Sequence, residues 1–215
     1  MSTFTLLLGG ELVRTPRLDI QTAGTRVIAA DSGIRHADML GLLPELWVGD
    51  FDSAPANLPP HLAKVPQERF PAEKDKTDGE LAVAIARQSG ATKLILVGAF
   101  GGARADHAFL HLALAVRLAE EGIDVLLTSG AQEGVPLLPG HAARFDYADD
   151  TLFSVLGFSE LTGLTIKGAK WPLNDIEMAF GSSLTISNAV KGELEISFGS
   201  GRALLLAHPF PLPET

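Results

Sequence analysis

Short, continuous runs of apolar residues alternate with helical patterns over about the first 130 residues of the chain. Unbroken apolar runs are typical of strands that are buried on both faces of a parallel sheet. The pattern therefore predicts a parallel α/β sheet. The predicted strands are Phe4–Leu8, Arg26–Ala30, Leu46–Val48, Leu94–Val97 and Asp124–Thr128.

Two segments between these strands have helical patterns. Thr77 and Glu80 have the spacing of a capping box, in which each residue satisfies a backbone amide of the other, and this predicts a helix over residues 78–88. Leucines that recur at every fourth position predict a second helix over residues 103–121. Both helices are expected to pack on faces of the sheet.

The rhythm changes after about Gly130, where short strand-like segments are separated by Gly, Ser and Asn. This change predicts an α/β domain over residues 1–130 and an all-β sandwich domain over residues 131–215. Gly199-Ser200-Gly201 is predicted to turn a hairpin. The predicted strands of the second domain are Thr151–Leu156, Leu164–Lys167, Leu184–Ser187, Glu193–Phe198 and Ala203–His208.

Composition restricts the function. The 215 residues carry a formal net charge of −9, which disfavours electrostatic binding to nucleic acid or to an anionic membrane. The chain has no Cys, which excludes disulfides, thiolate catalysis and zinc–thiolate sites. The apolar run near the N terminus is too short for a signal peptide or a membrane span, so we expect a cytoplasmic protein.

The densest candidate chemistry follows the strand Leu46–Val48, in Gly49-Asp50-Phe51-Asp52-Ser53. If the chain stays extended there, Asp50 and Asp52 point to the same side. Two close carboxylates repel each other without a cation, and hard oxygen ligands suit Mg²⁺ or Mn²⁺. The alternative is a polar turn in which both carboxylates accept hydrogen bonds from local amides.

Three further polar segments lie where predicted elements meet. Lys74-Asp75-Lys76-Thr77-Asp78 lies at the predicted start of a helix, where Asp78 can complete a metal site while Lys74 or Lys76 meets phosphate. Gly98–His107 is a glycine-rich turn that leads from a strand into a helix and can bind an anion, although it lacks the Walker and dinucleotide spacings. Asp31 ends another strand. Open α/β sheets bind ligands at this edge, which predicts a metal-dependent phosphate site.

Two features stand out in the second domain. Trp171 either packs in the core or stacks on a cationic heteroaromatic ring. Ser187 and Asn188 either end a strand or offer neutral donors and acceptors to a small ligand.

Taken in order, these motifs resemble the thiamine pyrophosphokinase family along nearly the whole chain. The pairing of Gly-Asp-Phe-Asp-Ser with Lys-Asp-x-Thr-Asp is specific. The family commonly has Gly-Gly-Arg-x-Asp-His, and here Ala103 adds one residue before Arg104. The segments that carry the resemblance are 31–33, 49–53, 74–78, 101–107, 171–173 and 187–188.

The resemblance implies an α/β catalytic domain, a β-sandwich domain and a homodimer with active sites between subunits. It also implies transfer of a diphosphoryl group from ATP to thiamine, with Mg²⁺, to give thiamine diphosphate and AMP. Either Asp52 or Asp78 would accept the proton of the alcohol. The residues that match metal and catalytic carboxylates are Asp50, Asp52 and Asp78, and those around the polyphosphate are Lys74, Arg104 and Asp106. The expected substrate-binding residues are Asp31, Ser53, Thr77, His107, Trp171, Ser187 and Asn188.

Two other functions fit parts of the sequence. Asp50-Phe51-Asp52 also fits the Asp-x-Asp arrangement with which a metal-dependent glycosyltransferase holds a nucleotide-sugar diphosphate through Mn²⁺. A protein with a degenerate site would be a non-catalytic sensor of thiamine or nucleotide.

Overall fold

The computed structural model describes residues 2–71, 73 and 75–210. The chain forms two compact units. The first unit comprises Met1–His111 and Gly122–Gly130, and the second unit comprises Leu112–Glu121 and Ala131–Thr215. Among the described helices, none combines the length and the apolar character needed to span a bilayer.

The described part of the first unit has six strands that pair in parallel, in the order β4-β3-β2-β1-β5-β6. All five predicted strands of this unit are present, because their apolar residues are buried between the two faces of the sheet. The additional strand, β4, was not predicted, since its three residues are exposed at the edge. The strands are β1 (Ser2–Leu7), β2 (Arg26–Ala30), β3 (Leu46–Gly49), β4 (Gln67–Arg69), β5 (Ala91–Val97) and β6 (Asp124–Thr128).

Helices connect these strands. The capping box of α3 is confirmed, because Thr77 Oγ1 accepts from Glu80 N at 3.3 Å and a Glu80 carboxylate oxygen accepts from Thr77 N at 3.2 Å. The second predicted helix is also present and begins at Ala105, two residues later than expected. The described helices are α1 (Pro16–Thr22), α2 (Arg35–Leu40), α3 (Asp78–Gln88) and α4 (Ala105–Glu120), with short 3₁₀ turns at Asp31–Ile34 and Leu62–Lys64.

Seven strands are described in the second unit, all paired antiparallel. They form a sandwich because β12 changes sheet along its length: Asn188 and Ala189 pair with β9, whereas later residues pair with β10 and β8. Phe153 and Ile166, from the two sheets, pack in one core. The strands are β7 (Glu133–Leu137), β8 (Ala143–Phe145), β9 (Leu152–Gly157), β10 (Leu161–Ala169), β11 (Leu173–Met178), β12 (Asn188–Ser197) and β13 (Ala203–His208).

The predicted strand Leu184–Ser187 is wrong, because this segment is a run of turns. Thr185 is buried and its hydroxyl donates to the Val155 carbonyl at 2.6 Å, while Leu184 and Ile186 are exposed. Apolar and polar residues alternate in this segment as they would in a strand, but the polar Thr185 is the buried one and the segment does not pair with another strand.

The predicted hairpin at Gly199-Ser200-Gly201 is also wrong. The strand that follows, β13, pairs with β7 and β9 and not with β12. The three residues thus link two different parts of the sandwich. Strands β7, β8 and β11 were missed because Gly134 and Pro136 interrupt the first, the second has only three residues, and the apolar residues of the third do not alternate regularly.

The sandwich core provides a test of stability. Phe153 is 1% exposed, and Phe153→Ala should lower the free energy of unfolding by about 3–5 kcal/mol through lost burial and a residual cavity. The control is Ile20→Ala, because Ile20 is 77% exposed and its truncation should change stability by less than about 0.5 kcal/mol. Urea unfolding followed by far-ultraviolet circular dichroism measures both. Equal losses in the two variants would contradict the assigned core.

Candidate active site

Residues from four separate segments of the sequence meet at the carboxyl-terminal edge of the parallel sheet in the first unit. Asp31 follows β2, Asp50 follows β3, and Asp78 begins α3. They line an open pocket of about 420 Å³, here called the acidic pocket. Lys74, which we predicted to meet phosphate, lies outside the described residues. The lining residues are Asp31, Asp50, Asp52, Ser53, Asp75, Lys76, Thr77, Asp78, Glu80, Arg104 and His107.

Three carboxylates of this pocket can share one ion. Asp31, Asp50 and Asp52 each offer an oxygen, and these oxygens all lie within 4.8 Å of one another. Asp31 Oδ1 is buried and has no hydrogen-bond partner. Burial raises the pKa of Asp31, and the negative charges of Asp78, Asp52 and Asp50 raise it further, against a lowering backbone hydrogen bond from Ser32. A buried, unpartnered carboxylate oxygen among other carboxylates fits a hard divalent cation.

The three carboxylates that the sequence predicted to bind metal all line this pocket, but the tightest group differs from the predicted one. Among the described residues, Asp31 joins Asp50 and Asp52, whereas Asp78 lies outside that group and acts on Asp31 through its charge. The resemblance places Asp31 among the substrate-binding residues. The structure therefore adds Asp31 to the candidate metal ligands.

The chain between Asp50 and Asp52 is not extended, contrary to the geometry assumed from the sequence. Phe51 has φ +65°, in the left-handed region that an aromatic residue rarely adopts. Its ring packs edge-on against Trp47 at 4.7 Å and lies under the Arg69 guanidinium at 4.9 Å. Asp52 N donates to Asp50 Oδ1 at 3.1 Å, as in the polar-turn alternative. A tight turn held by Phe51 thus brings the two carboxylates together.

Trp47 connects this turn to Asp31. Its Nε1 donates to the Asp31 carbonyl at 2.8 Å, while its ring contacts Phe51. Asp31 has φ +43°, a strained conformation that is stored most often at functional sites. None of the sequence motifs included Trp47. The signal was a Trp within the strand that leads directly into the acidic motif.

A second cavity of about 350 Å³, here called the glycine cavity, lies beside the acidic pocket in the first unit. Two glycine-rich loops line it, Gly9–Gly10 after β1 and Gly98–Gly102 after β5. Gly10 N donates to the Gly98 carbonyl at 2.9 Å, and a Cβ on Gly10 would lie 2.3 Å from the Phe100 carbonyl oxygen. Only glycine allows this approach. The first loop was missed, although its Gly-Gly pair matches that of the second.

Arg104 and His107 line both cavities. The Arg104 guanidinium donates two hydrogen bonds to the Asp106 carboxylate, at 3.0 and 2.7 Å. This ion pair lowers the pKa of Asp106 to about 2. Asp106 itself lines neither of these two cavities, and its contact with them is through Arg104.

In the second unit, Trp171 is 55% exposed and Lys170 Nζ lies 4.6 Å above its ring. The buried Asn188 amide is occupied by the Trp171 backbone: Oδ1 accepts from Trp171 N at 3.1 Å and Nδ2 donates to Trp171 O at 2.8 Å. Asn188 therefore fixes the position of Trp171. Ser187, with φ +61°, precedes it on the exposed surface.

The candidate metal site provides a second test. In metal-free protein at pH 7, Asp31→Asn should raise the melting temperature, because it removes a charge that burial and neighbouring carboxylates disfavour. Asn tolerates the left-handed conformation of this position. Since the folded-state pKa of Asp31 is raised, its destabilising effect is present above that pKa and vanishes below the ordinary value of 3.8. The gain should therefore shrink as the pH falls.

Addition of Mg²⁺ should reverse the order of the two melting temperatures, so that the wild type becomes more stable than Asp31→Asn. The ion should raise the melting temperature of the wild type and have a smaller effect on Asp31→Asn, because it binds the folded state through that carboxylate. Asp175→Asn in the second unit is the matched control, with an exposed side chain and φ +51°. Equal stabilisation of wild type and Asp31→Asn by Mg²⁺ would remove Asp31 from the ligands.

Comparison with known proteins gives a consistent result. The family model described as "Thiamin pyrophosphokinase, catalytic domain" matches residues 20–127, and "Thiamin pyrophosphokinase, vitamin B1 binding domain" matches residues 145–203. The thiamine pyrophosphokinase of Bacillus subtilis (strain 168) is 29% identical over 214 residues, covering 96% of this chain and 98% of the relative.

Solved structures agree with this match. The crystal structure of thiamine pyrophosphokinase from Bacillus subtilis has a TM-score of 0.82 at 25% identity and covers 98% of this chain and 100% of its own. That of thiamin pyrophosphokinase from Geobacillus thermodenitrificans has a TM-score of 0.75 at 27% identity, covering 97% of each chain. Neither the glycosyltransferase nor the sensor interpretation is favoured. Since the catalytic-domain model alone spans half of its length, the chain belongs to the thiamin pyrophosphokinase family, whose members form thiamine diphosphate with ATP as the donor.

Proposed function

We propose that the acidic pocket is the place where this chain transfers a diphosphoryl group from ATP to the hydroxyl of thiamine, giving thiamine diphosphate and AMP. The observation that carries this proposal is the cluster of the Asp31, Asp50 and Asp52 carboxylates, in which the buried Oδ1 of Asp31 has no hydrogen-bond partner. These carboxylates lie beside Arg104 and a glycine-lined cavity. Carboxylates alone repel a polyphosphate, so the donor would enter together with a divalent cation.

Asp31, Asp50 and Asp52 would hold Mg²⁺, and Asp78 faces the same pocket. Their oxygen donors are the type that Mg²⁺ prefers. When bound, the ion would offset negative charge on the phosphate oxygens of ATP. Ser53 Oγ donates to Asp52 Oδ1 at 2.9 Å and orients that carboxylate.

The protein side chains would supply the other requirements of in-line transfer. Arg104, fixed by Asp106, directs guanidinium donors to phosphate oxygens as charge develops. Asp52 or Asp78 would accept the proton of the thiamine hydroxyl as its oxygen attacks the β-phosphorus. Thr77 fixes the start of α3 next to Asp78, and His107 contributes to the wall of the pocket.

The second unit would bind thiamine through Trp171. Lys170 already lies over this ring, which indicates that the ring face attracts a cation, and the thiazolium of thiamine carries the same charge. Asn188 would contribute by holding the Trp171 backbone. On this proposal residues 1–130 bind ATP and metal, while residues 131–215 bind thiamine.

We also propose a cytoplasmic homodimer whose active sites lie between subunits. Support comes from apolar side chains of the second unit that remain exposed in one chain: Phe180 at 71%, Leu184 at 58% and Ile186 at 46%. Thr185 is held inward by its bond to Val155, so its neighbours point outward. A second copy of the chain would cover them.

The reaction itself is the first test of this proposal. Protein incubated with ATP, Mg²⁺ and thiamine should release AMP and thiamine diphosphate, separated by chromatography. Asp52→Asn should lower turnover at least ~10²-fold, as expected when a group that supports transition-state charge is lost. Asp19→Asn, which breaks an exposed ion pair with Arg14, is the control and should leave turnover unchanged. Formation of ADP and thiamine monophosphate would contradict attack at the β-phosphorus.

Binding of thiamine is tested at Trp171. Trp171→Ala should raise the KM for thiamine by at least ~5-fold and that for ATP much less, because cation–π attraction and ring contact are lost. Trp171→Phe keeps an aromatic face and should lie in between. Asn188→Ala should also raise the thiamine KM, since the Trp171 backbone loses both of its bonds to that side chain. An unchanged thiamine KM in Trp171→Ala would assign the ring to packing alone.

A further inference from the structure

The glycine cavity contains an arginine that none of the sequence motifs included. Arg35 is the first residue of α2 and lines this cavity together with Arg104. Its Nη2 donates to the carbonyl of Gly9 at 2.6 Å and to that of Gly10 at 3.0 Å. A guanidinium has five N–H donors, so these two bonds use both hydrogens of Nη2 and leave three donors on Nε and Nη1.

The frame that holds Arg35 is stiff. His36, the next residue, is buried, and its Nε2 donates to the same Gly10 carbonyl at 3.0 Å. Gly10 in turn packs against the backbone carbonyls of Gly98 and Phe100. The head group of Arg35 is thus oriented before any ligand binds, which reduces the entropy lost on binding.

The two cavities differ in charge. Beyond the shared residues, the acidic pocket carries several carboxylates and Lys76, whereas the glycine cavity carries Arg35. Asp31 lies at their boundary, because it lines both. The Gly102 amide in this cavity already donates to the Glu11 carboxylate at 3.5 Å. Charged donors bind an anion more strongly than neutral ones, so the guanidinium groups are the strongest donors that the glycine cavity offers to an anion. This difference in charge would suit a polyphosphate whose metal-bound end lies in the acidic pocket and whose other end lies in the glycine cavity.

We propose that Arg35 binds the phosphate of the leaving AMP in the glycine cavity. This assignment rests on the proposed function. The thiamine hydroxyl oxygen bonds to the β-phosphorus, and the bond from that phosphorus to the α,β-bridging oxygen breaks. The electron pair stays on the bridging oxygen, which departs with AMP, and the hydroxyl proton passes to Asp52 or Asp78. Arg35, with Arg104, offsets the charge that the α-phosphate gains.

Binding of AMP and of adenosine, measured by calorimetry, tests this assignment, because the two ligands differ only in the phosphate. The wild type should bind AMP at least ~10-fold more tightly than adenosine, the effect expected of a charge-assisted hydrogen bond. R35M should lower the affinity for AMP at least ~10-fold and leave that for adenosine within about 2-fold, while R35K should lie in between. The matched control is R14M, since Arg14 is an exposed arginine that also binds a backbone carbonyl, that of Met39. It should change neither affinity.

Three outcomes would overturn the assignment. Equal losses of AMP and adenosine affinity in R35M would reduce Arg35 to a structural support of the Gly9–Gly10 loop. Retention of the full preference for AMP in R35M would show that another group binds the phosphate, even if the wild type forms thiamine diphosphate normally. A wild type without turnover from ATP and thiamine would remove the proposed function itself, and with it this role of Arg35.

Discussion

The repulsion among carboxylates at one edge of the parallel sheet is the constraint on which the site depends. Asp31 is partly buried next to Asp50 and Asp52, and one of its oxygens has no hydrogen-bond partner. Burial, and then the negative charges of Asp78, Asp52 and Asp50, raise the pKa of Asp31, so that without a cation this arrangement opposes folding. A divalent ion would relieve this repulsion, and on the proposed function it would also offset the negative charge of the polyphosphate at the same edge of the sheet.

Two kinds of close contact hold the cluster in place, the side-chain contacts of Trp47 and the backbone contacts of Gly10. Trp47 joins the two halves of the site, through a hydrogen bond to Asp31 and an edge contact with Phe51. Gly10 allows two loops to meet backbone to backbone, at a distance that any side chain would prevent. The strained backbone of Asp31 and Phe51 and the close contact of Gly10 thus occur at the same edge of the sheet. Side chains from segments far apart in the sequence lie close together there, which constrains the backbone.

The second unit follows a different principle. Its site residues are ordered by one buried amide, that of Asn188, which fixes the backbone of Trp171 and leaves the ring exposed. The sequence suggested that Asn188 would contact the ligand, because its donors and acceptors suit one. The structure shows those atoms bonded to the backbone of Trp171, so on the proposed function Asn188 would act by holding that residue in place.

The sequence by itself determined the buried parallel strands, the capping box of α3 and the presence of acidic motifs at strand ends, since these depend on local periodicity and spacing. It did not determine the turn at Leu184–Ser187, because apolar and polar residues alternate there as in a strand, although the polar Thr185 is the buried residue and the apolar Leu184 and Ile186 are exposed. Nor did it determine the course of β12 through two sheets, which depends on the strands that pair with it. Only the tertiary structure could place Asp31 with Asp50 and Asp52, or Arg35 in the glycine cavity. Those positions depend on how the strand ends and loops meet in space, which no local pattern records.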